Sequence, residues 1–373
     1  MLEIKEVKTK KQQKEFINFP LKLYKDNPYF VPPLYVDEMK LFKNSYVYYD
    51  QAKAVYYNAY KDGEMVGRIS GILQKASNEK WNQKRVRFTR FDAIDDQEVA
   101  TMLFEKIEKW ALEEGMEEVV GPLGFSDLER EGLLIEGFDQ MSTFEEQYNY
   151  PYYQKLIENC GYEKEVDWLE SKLRNKEVID ERLERISSYM LKKNNLHLGQ
   201  FKNTKQFLKK YSDSFFDVLD ETYKDLYGTV PFTEGMKKMM ISNFKLIINI
   251  KYVAAILDEN ENLVCFGLCF PSIGEAVKKS NGHLTPIAVA RILHALKHPK
   301  VLDLALIGAL PKYQMKGIST ALIVEIMKML QNPELDHAET NLNLETNYSI
   351  LNQWKNFDAV QHKKRRSFIK KIS

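Results

Sequence analysis

The residues best suited to chemistry lie late in the chain, where an apolar run ends in a short basic loop. The segment Leu302–Thr320 reads LDLALIGALPKYQMKGIST, a pattern that predicts a buried strand, a loop and the start of a helix. Backbone N–H groups at a helix start attract anions, and the helix dipole adds to this attraction. Gly317 lets the backbone approach a phosphate closely. Further charge and hydroxyl donors come from Lys312, Lys316, Ser319 and Thr320. The pattern predicts a pyrophosphate cradle, and an ordinary surface loop is the alternative.

A family resemblance sharpens this prediction. The stretch LPKYQMKGISTAL resembles the acetyl-CoA-binding signature of the GNAT N-acyltransferase superfamily, Q/R-x-x-G-x-G/A. Gln314 and Gly317 match it, whereas Ser319 stands where the signature has Gly or Ala. The resemblance implies that acetyl-CoA or another acyl-CoA binds here as a co-substrate. The implied loop contacts are Gln314, Met315, Lys316, Gly317, Ile318, Ser319 and Thr320.

In folds of that superfamily the fourth and fifth strands splay apart, and pantetheine pairs with the fourth like an added strand. By the resemblance, Leu304–Leu310 is the fourth strand and His337–Leu342 the fifth. Gly308 then lies where a β-bulge is useful. The backbone N–H of Ala309 or Leu310 would stabilise the oxyanion that develops from the thioester carbonyl. The implied contacts on the strand are Ile307, Ala309 and Leu310.

The candidate catalytic residues follow this fifth strand. A positioned base would take a proton from an amine, which then attacks the thioester. Glu339 and Glu345 are six residues apart and would share one face if the strand ran that far. Glu339 is ranked first, because Glu345 has the alternative of capping a helix at Asn347. GNAT enzymes often place a Tyr seven residues beyond such an Asn, to protonate the thiolate. Here Asn347 has Trp354 at that offset, and an indole cannot supply a proton near neutral pH.

The elements that would position these groups occur twice along the chain. Residues 24–33 read YKDNPYFVPP and residues 223–232 read YKDLYGTVPF, with five of ten positions identical at an offset of 199. Two more matches follow in the same order, a pair of hairpins and a pair of helix–strand segments: 54–73 with 252–270, and 152–169 with 349–370. Three ordered matches indicate a duplication. Generic likeness between α/β segments is the alternative.

Each half predicts helices, a hairpin, a strand, a long helix, a strand, a short helix and a last strand, which is an α/β class with a mixed sheet. This order also resembles the GNAT fold, which implies two tandem GNAT-like domains. We expect a degenerate domain at 1–175 and an acyl-CoA-binding domain at 176–373, with the charged helix Glu177–Lys193 bridging them. The first half also resembles an uncharacterised bacterial group of GNAT-like proteins, through motifs such as GEMVGRISG and EEVVGPLGFSDLEREGLLIEGFD.

The first half lacks the basic loop. Its equivalent segment, residues 92–98, reads DAIDDQE and contains four acids and no glycine. Asp95 would cap the long helix Asp95–Glu114, with Glu98 completing a capping box. A pyrophosphate there would meet like charge, so we expect only the second half to bind CoA. The first half would instead shape a substrate cleft, and the glycine-rich segment Gly121–Gly137 would cover that cleft or form an ordered surface loop.

Composition excludes several classes of function. Lys and Arg number 54 and Asp and Glu 53, so the 373-residue chain has a net charge of +1. This balance argues against a main task of binding nucleic acid or acidic membranes. The longest apolar run, Leu304–Pro311, is far shorter than the ~20 residues that cross a bilayer. The first residues lack an apolar signal core. We expect a cytoplasmic protein with neither a membrane nor a nucleic-acid partner.

No metal is expected either. The three cysteines form no CxxC pair, which argues against a zinc ribbon or a disulfide framework. His294 and His298 have a spacing that can hold a metal, but no third ligand has a matching position. The basic run Lys363–Arg366 is interpreted as a solvated last strand with Phe368 turned inward. Contact with an acidic partner is its alternative.

The sequence therefore predicts a CoA-dependent N-acyltransferase, most simply an acetyltransferase, that acts on a small-molecule amine or a peptide. One alternative is a Fem-like aminoacyl transferase that uses charged tRNA. The other is a non-catalytic scaffold that binds acyl-CoA. The intact loop and the balanced charge favour CoA over tRNA. The acceptor, the acyl chain length and the oligomeric state stay open.

Overall fold

Strands and helices alternate along the chain in an order that occurs twice. The computed structural model describes residues 1–176, 181–314 and 317–372. The first half contains β1 (Leu2–Glu6), α1 (Lys10–Leu23), α2 (Tyr35–Glu38), β2 (Ala52–Lys61), β3 (Glu64–Gln74), α3 (Lys75–Trp81), β4 (Arg85–Ala93), α4 (Gln97–Glu113), β5 (Glu118–Gly121), β6 (Leu133–Glu136), α5 (Tyr152–Asn159) and β7 (Glu163–Arg174).

The second half repeats this order with one additional helix after its hairpin and another, α11 (Pro311–Gln314), after the next strand. It contains α6 (Glu181–Lys193), β8 (Leu196–Leu198), α7 (Thr204–Tyr223), α8 (Glu234–Ile247), β9 (Val253–Asp258), β10 (Leu263–Pro271), α9 (Gly274–Lys278), α10 (Pro286–Lys297), β11 (Val301–Ala309), α11 (Pro311–Gln314), α12 (Ser319–Met329), β12 (His337–Thr340), β13 (Asn343–Leu344), α13 (Tyr348–Leu351) and β14 (Asp358–Lys371). The predicted α/β class with mixed pairing is confirmed in both halves.

By packing, the described chain forms two units. Unit 1 comprises residues 1–169, 273–292 and 362–372, and unit 2 comprises 170–272 and 293–361, apart from the undescribed positions. In unit 1 the strand order is β1-β2-β3-β4-β5-β14, and β4 and β5 run parallel. In unit 2 the order is β8-β9-β10-β11-β12-β7, and β11 and β12 run parallel.

The last strand of each half completes the sheet of the other half's unit. Residues 368–371 of β14 pair antiparallel with residues 118–121 of β5 in unit 1. In unit 2, Leu173 and Lys172 of β7 pair with β12. The repeats and the packing units therefore divide the chain differently. The domain boundary near residue 175 describes the repeats, and it stays a prediction.

One long helix covers a sheet face in each unit. The α4 stripe, including Val99, Leu103 and Ile107, is buried as its spacing predicts. The helix begins one residue later than expected, because Asp96 rather than Asp95 is its cap and accepts the N–H of Glu98 at 3.0 Å. In unit 2 the buried stripe of α12 packs on Leu302 of β11, Cys269 of β10 and Ala338 of β12 through Ile323, Ile326 and Met327. Helix α6 also belongs to unit 2 and packs against α12; the start of its predicted span, residues 177–180, lies outside the described residues.

The sequence predicts that the basic run Lys363–Arg366 is solvated, but the structure buries part of it. Side chains of Lys363 and Arg365 are buried in unit 1, with exposures of 1% and 0%. Arg366 forms two hydrogen bonds to Asp167, at 2.7 and 3.0 Å. This carboxylate lies 199 positions away in the sequence, so local patterning could not reveal it. The inward orientation of Phe368 is confirmed.

Candidate active site

The site is built on one edge of β11 that β12 covers only in part. The parallel pairing of the two strands runs from Val301 to Leu304, where β12 ends at Thr340. Strand β11 continues to Ala309, so the two strands separate as the sequence predicts. The predicted end of the fifth strand at Leu342 is wrong by two residues. We call the backbone groups of residues 305–309 that face away from β10 the open edge; no described strand pairs with it.

Strand alternation decides which groups face the open edge. The N–H of Leu310 donates to Val264 O on β10 at 3.0 Å. In an antiparallel ladder, neighbouring residues turn their backbone groups to opposite sides. Ile307 and Ala309 therefore face the open edge, whereas Gly308 and Leu310 face β10. Of the two predicted oxyanion donors, the N–H of Leu310 is already engaged, and Ala309 is the one that points to the edge.

The bulge in β11 lies earlier than the sequence predicts. The register between β10 and β11 shifts where Leu268 and Cys269 oppose Leu306 and Leu304, so the additional residue is Ala305 and not Gly308. Gly308 has a packing role instead. A Cβ there would lie 2.9 Å from two atoms of the Phe266 ring and 3.3 Å from the hydroxyl oxygen of Thr222. No larger residue fits without moving that ring.

The C-terminal end of α7 rests on the open edge. The Tyr223 hydroxyl donates to Ile307 O at 3.1 Å and accepts from Ile307 N at 3.4 Å. Thr222 Oγ1 donates to Ala309 O at 3.3 Å. Sequence reasoning missed Tyr223 as a site residue, although Tyr223 begins the repeated YKD motif. This repeated motif was the sequence signal that could have identified Tyr223. Its first-half counterpart, Tyr24, also directs its hydroxyl into a buried polar network.

The two residues that match the signature, Gln314 and Gly317, are both described in the loop after β11. Gln314 donates its side-chain amide to Ala309 O at 2.9 Å, which ties the loop to the strand end. Gly317 has a φ of +69°, in the left-handed region that disfavours residues with a Cβ. A Cβ there would come within 3.0 Å of the Met190 methyl group on α6. The predicted contacts Met315 and Lys316 lie outside the described residues.

Helix α12 begins without a capping side chain among the described residues. Its N-cap position is Ile318, which is buried, and its first two residues, Ser319 and Thr320, are half-buried. Ala321 N already donates to Ile318 O at 2.9 Å, and Thr320 N donates to Gly317 O at 3.2 Å. The N–H of Thr320, one of the predicted phosphate contacts, is therefore already engaged. Among the described residues no carboxylate caps the start of α12, so its positive dipole end suits an anion.

The corresponding region of unit 1 is already occupied by the chain's own side chains. Strand β4 also runs past its pairing with β5, which covers residues 85–87 only. The hydroxyl of Tyr153 accepts the N–H of Ala93 at 3.0 Å, and the hydroxyl of Tyr152 donates to Ala93 O at 2.7 Å. Burial raises the pKa of Tyr153, which keeps the phenol neutral. Both backbone groups of the last β4 residue are satisfied internally.

Two acids of the equivalent segment in unit 1, Asp92 and Asp96, already form ion pairs. Asp92 is buried and forms an ion pair with Arg68 at 2.8 Å. Asp96 caps α4 and forms an ion pair with Lys61 at 2.7 Å, which lowers the pKa of this carboxyl. The N-terminus of α4 thus carries a carboxylate cap, where α12 has none from a described residue. CoA binding by the second half alone stays a prediction, and this contrast in charge is the reason for it.

A second polar cluster in unit 1 surrounds Arg90. This residue has a φ of +50°, which is unusual for a side chain in a strand and is often found at functional sites. Its guanidinium group bonds both carboxylate oxygens of Glu38, at 3.1 and 3.3 Å. Tyr46 donates to Glu129 at 3.1 Å. The segment Gly121–Gly137 that carries Glu129 is largely buried, so it is not the surface loop that the sequence allowed.

Glu339 lies within a row of polar residues on the sheet of unit 2. On β12 it is in register with Asp303 of β11 and Lys172 of β7. Its carboxylate is 3.3 Å from Nε2 of His337, and the other ring nitrogen of His337 is 2.6 Å from Asp336. The Glu339 side chain is 12% exposed. Its carboxylate is thus in contact with an imidazole nitrogen.

The other catalytic candidates do not join Glu339 on one strand face. Because β12 ends at Thr340, Glu345 lies in a turn after β13. Asn347 caps α13, since its side chain accepts the N–H of Ile350 at 3.4 Å. The indole N–H of Trp354 donates to Asn343 at 2.7 Å. These residues therefore have structural partners of their own.

Two further features bear on the chemistry. Burial raises the pKa of the Cys265 and Cys269 thiols to about 12, so both remain protonated. Among residues 1–176, 181–314 and 317–372, no three metal-ligating side chains lie together. In the same ranges, no helix is both long and apolar enough to cross a membrane.

Comparison with solved structures defines the class of this architecture. A tandem GNAT protein from the clavulanic acid biosynthesis pathway superposes with a TM-score of 0.58 at 9% identity, over 100% of this chain and 99% of that one. A GCN5-related glucosamine N-acetyltransferase region of a fungal GH3 β-N-acetylglucosaminidase gives 0.55 at 10% identity, over 99% of this chain and 38% of that one. A probable N-acyltransferase from Enterococcus faecalis gives 0.52 at 8% identity, over 100% and 73%. The chain therefore has the tandem GNAT fold, as its motifs predict.

Two curated proteins match the chain along nearly its whole length. Protein YghO of Escherichia coli K12 is 28% identical over 376 residues, which is 97% of this chain and 94% of that protein. A bacterial ceramide synthase of Caulobacter vibrioides is 25% identical over 380 residues, or 98% and 96%. No protein-family model matches the chain.

Proposed function

We propose that the protein is an N-acyltransferase that moves an acyl group from acyl-CoA to an amine. The observation that carries this proposal is the open edge of β11, with Ile307 and Ala309 facing it, followed by Gly317 and the start of α12. The amide groups of pantetheine can pair with such an edge as an added strand does. The pyrophosphate then lies against the N-terminal amides of α12.

The proposed reaction joins the amine nitrogen to the thioester carbonyl carbon and breaks the carbon–sulfur bond. Glu339 is in register with Asp303, six residues before Ala309 on β11 and so roughly 20 Å along the strand from it. It therefore takes the proton from the ammonium through intervening water, and the neutral amine then attacks. The Ala309 N–H stabilises the oxyanion. The departing thiolate takes a proton, for which the phenol of Tyr223, on the same edge, is the proposed source, and the attacking nitrogen gives its second proton to the Tyr223 phenolate as the carbon–sulfur bond breaks. Pairing of pantetheine with Ile307 replaces the two bonds that Tyr223 makes there, which releases its hydroxyl toward the sulfur.

The acceptor that we favour is a long-chain amine. The bacterial ceramide synthase relative supports this class, since a ceramide is the amide of a fatty acid with a long-chain amino alcohol. A polar amine or a peptide is the second candidate, and it matches the general chemistry of the fold.

Calorimetry and a thiol-release assay test the function together. We expect one CoA to bind per chain, because the equivalent region of unit 1 is filled by Tyr152 and Tyr153. Acyl-CoA with a panel of sphingoid bases, polyamines and peptides should release free CoA only in the presence of a true acceptor. A stoichiometry near two would refute the assignment to the second half. Absence of CoA binding would refute the donor site.

A further inference from the structure

Helix α10 exposes large apolar side chains of a kind that helices usually bury. Of its twelve residues, all of which the structure describes, only Ala288 is buried. Four large apolar side chains are exposed on the helix or in the turn before it: Leu284, Ile287, Val289 and Leu293. Ile287 and Leu293 are 65% and 60% exposed. Grouped apolar side chains of this kind mark a surface that binds another molecule. We call the exposed side chains of residues 284–297 the α10 surface.

The helical spacing turns this apolar group away from the protein. With 3.6 residues per turn, Ala288, Ile292 and Ala295 share one face, and these three are buried or half-buried. The opposite side of the helix is exposed and apolar over its first two turns, with Pro286, Ile287, Ala290 and Leu293. The apolar character of α10 is therefore greater than its packing on the protein uses.

The α10 surface also carries charge of one sign. Residues 278–297 contain four basic residues and no acidic one, although the whole chain has 54 basic and 53 acidic residues. Arg291 donates to Lys279 O at 3.5 Å, and no described carboxylate forms an ion pair with Arg291 or Lys297. Arg291 is four residues after Ile287, and Lys297 is four residues after Leu293. Each positive charge is thus next to an exposed apolar side chain on the helix.

An anionic lipid surface matches both features. A helix with an apolar face and basic residues lies in the plane of the membrane interface, where the apolar side chains enter the lipid and the basic ones meet the headgroups. A second copy of the chain matches less well, because a symmetric contact brings the same positive charges together. Nucleic acid supplies phosphates but no apolar layer that would take Ile287 and Leu293.

We propose that the α10 surface docks the protein on an anionic membrane, with Ile287 and Leu293 among the lipids and Arg291 and Lys297 against the headgroups. The expectation of no membrane partner rested on the net charge of the whole chain, whereas this charge is local. Docking places α10 along the interface, not across the bilayer. It requires neither CoA nor an acceptor, so vesicle binding and acyl transfer can each fail without the other.

Co-sedimentation of the full chain with lipid vesicles tests the docking. The wild type should bind phosphatidylcholine vesicles containing about 30% phosphatidylglycerol at least about 10-fold more tightly than pure phosphatidylcholine, because each basic residue near such a surface contributes about fivefold. Raising the salt concentration from about 50 to about 300 mM should weaken this binding. Equal binding to both vesicles, or binding to neither, would overturn the proposal.

Two double variants separate the apolar and the charged parts of the surface. Ile287→Gln with Leu293→Gln should lower affinity for the anionic vesicles by about 10-fold or more, since both side chains lose their burial in lipid. Arg291→Gln with Lys297→Gln should lower it by a similar factor and remove most of the salt dependence. All four side chains are exposed, so melting curves should match the wild type and establish that each variant folds.

Matched controls lie on α4, where exposed apolar and basic side chains alternate with acids. Leu112→Gln alters an apolar side chain that is 51% exposed, and Lys106→Gln with Lys109→Gln removes two exposed positive charges. Both controls should bind vesicles as the wild type does. Wild-type binding by the α10 variants, or an equal loss in the α4 variants, would overturn the assignment to α10. Self-association in analytical ultracentrifugation that disappears with Ile287→Gln and Leu293→Gln, without vesicle binding, would assign the surface to a second copy and also overturn it.

Discussion

Replacing Gly317 with Asp tests whether the loop before α12 binds CoA or is an ordinary turn. At a φ of +69°, any residue with a Cβ costs about 1–2 kcal/mol. The added carboxylate would also lie within about 5 Å of a pyrophosphate at the start of α12. At an effective dielectric constant of about 20, one pair of like charges at that distance costs about 3 kcal/mol. CoA affinity should therefore fall by about 100-fold or more.

Two control variants isolate the charge effect. Gly115 has a φ of +76° and no atom within 4 Å of an added Cβ, so Gly115→Asp imposes similar backbone strain away from the loop. Gly317→Ala retains the strain and omits the charge. By calorimetry, we expect CoA affinity to be unchanged in the first and reduced modestly in the second. If Gly317→Asp binds CoA as tightly as Gly115→Asp does, the pyrophosphate does not bind at α12, and the donor site must be sought elsewhere.

Four further perturbations have defined outcomes. Glu339→Gln should lower the turnover rate by about 100-fold, in the range of a lost general base, with CoA affinity unchanged; a wild-type rate from pH 6 to 9 would remove Glu339 from the mechanism. Tyr223→Phe should slow thiol release and leave the protein stable, because only a hydroxyl is lost; an unchanged rate would show that solvent protonates the thiolate. Asp167 has a pKa lowered to about 2 by its hydrogen bonds to Arg366 and two lysines, against burial. The pKa of an aspartate in the unfolded chain is about 3.9, so this group adds about 2 kcal/mol to the free energy of unfolding above pH 4, and that stability is lost as pH falls toward 2. Asp167→Asn should lower the melting temperature at pH 7 and make stability fall less steeply at acid pH. Removing residues 358–373 should make unit 1 sensitive to protease, and persistent resistance of its fragments would contradict the strand pairing described above.

Local patterns in the sequence were sufficient for most of the element order, but they missed α3, α9 and α10, which lie between each hairpin and the next strand. The 3.6-residue spacing that buries Val99, Leu103 and Ile107 predicts α4, and the repeated YKD motif indicates the duplication. The strand exchange could not be found in this way, because pairing partners such as Phe368 and Gly121 are far apart in sequence. The burial of the basic C-terminal run escaped prediction for the same reason.

In the candidate site, too, local sequence predicted some features and could not predict others. A short signature predicts the loop, since Gln314 and Gly317 act locally on the backbone. The direction of each N–H on β11 depends on register, and the register depends on a bulge at Ala305 that no local pattern marks. This is why Leu310 was included as an oxyanion donor. Tyr223 was missed because its role arises only when the end of α7 meets Ile307.

The exchanged last strands set the order in which the molecule can be assembled. A ribosome makes the chain from the N-terminus, and domains usually fold in that order as they emerge. Here β5 acquires its antiparallel neighbour only when β14 has been made, and Phe368 of β14 follows its partner Gly121 by 247 positions. The first-half sheet must therefore keep an exposed strand edge until the whole second repeat has been made. Such edges recruit other chains, so the nascent protein should depend on chaperones more than its size suggests.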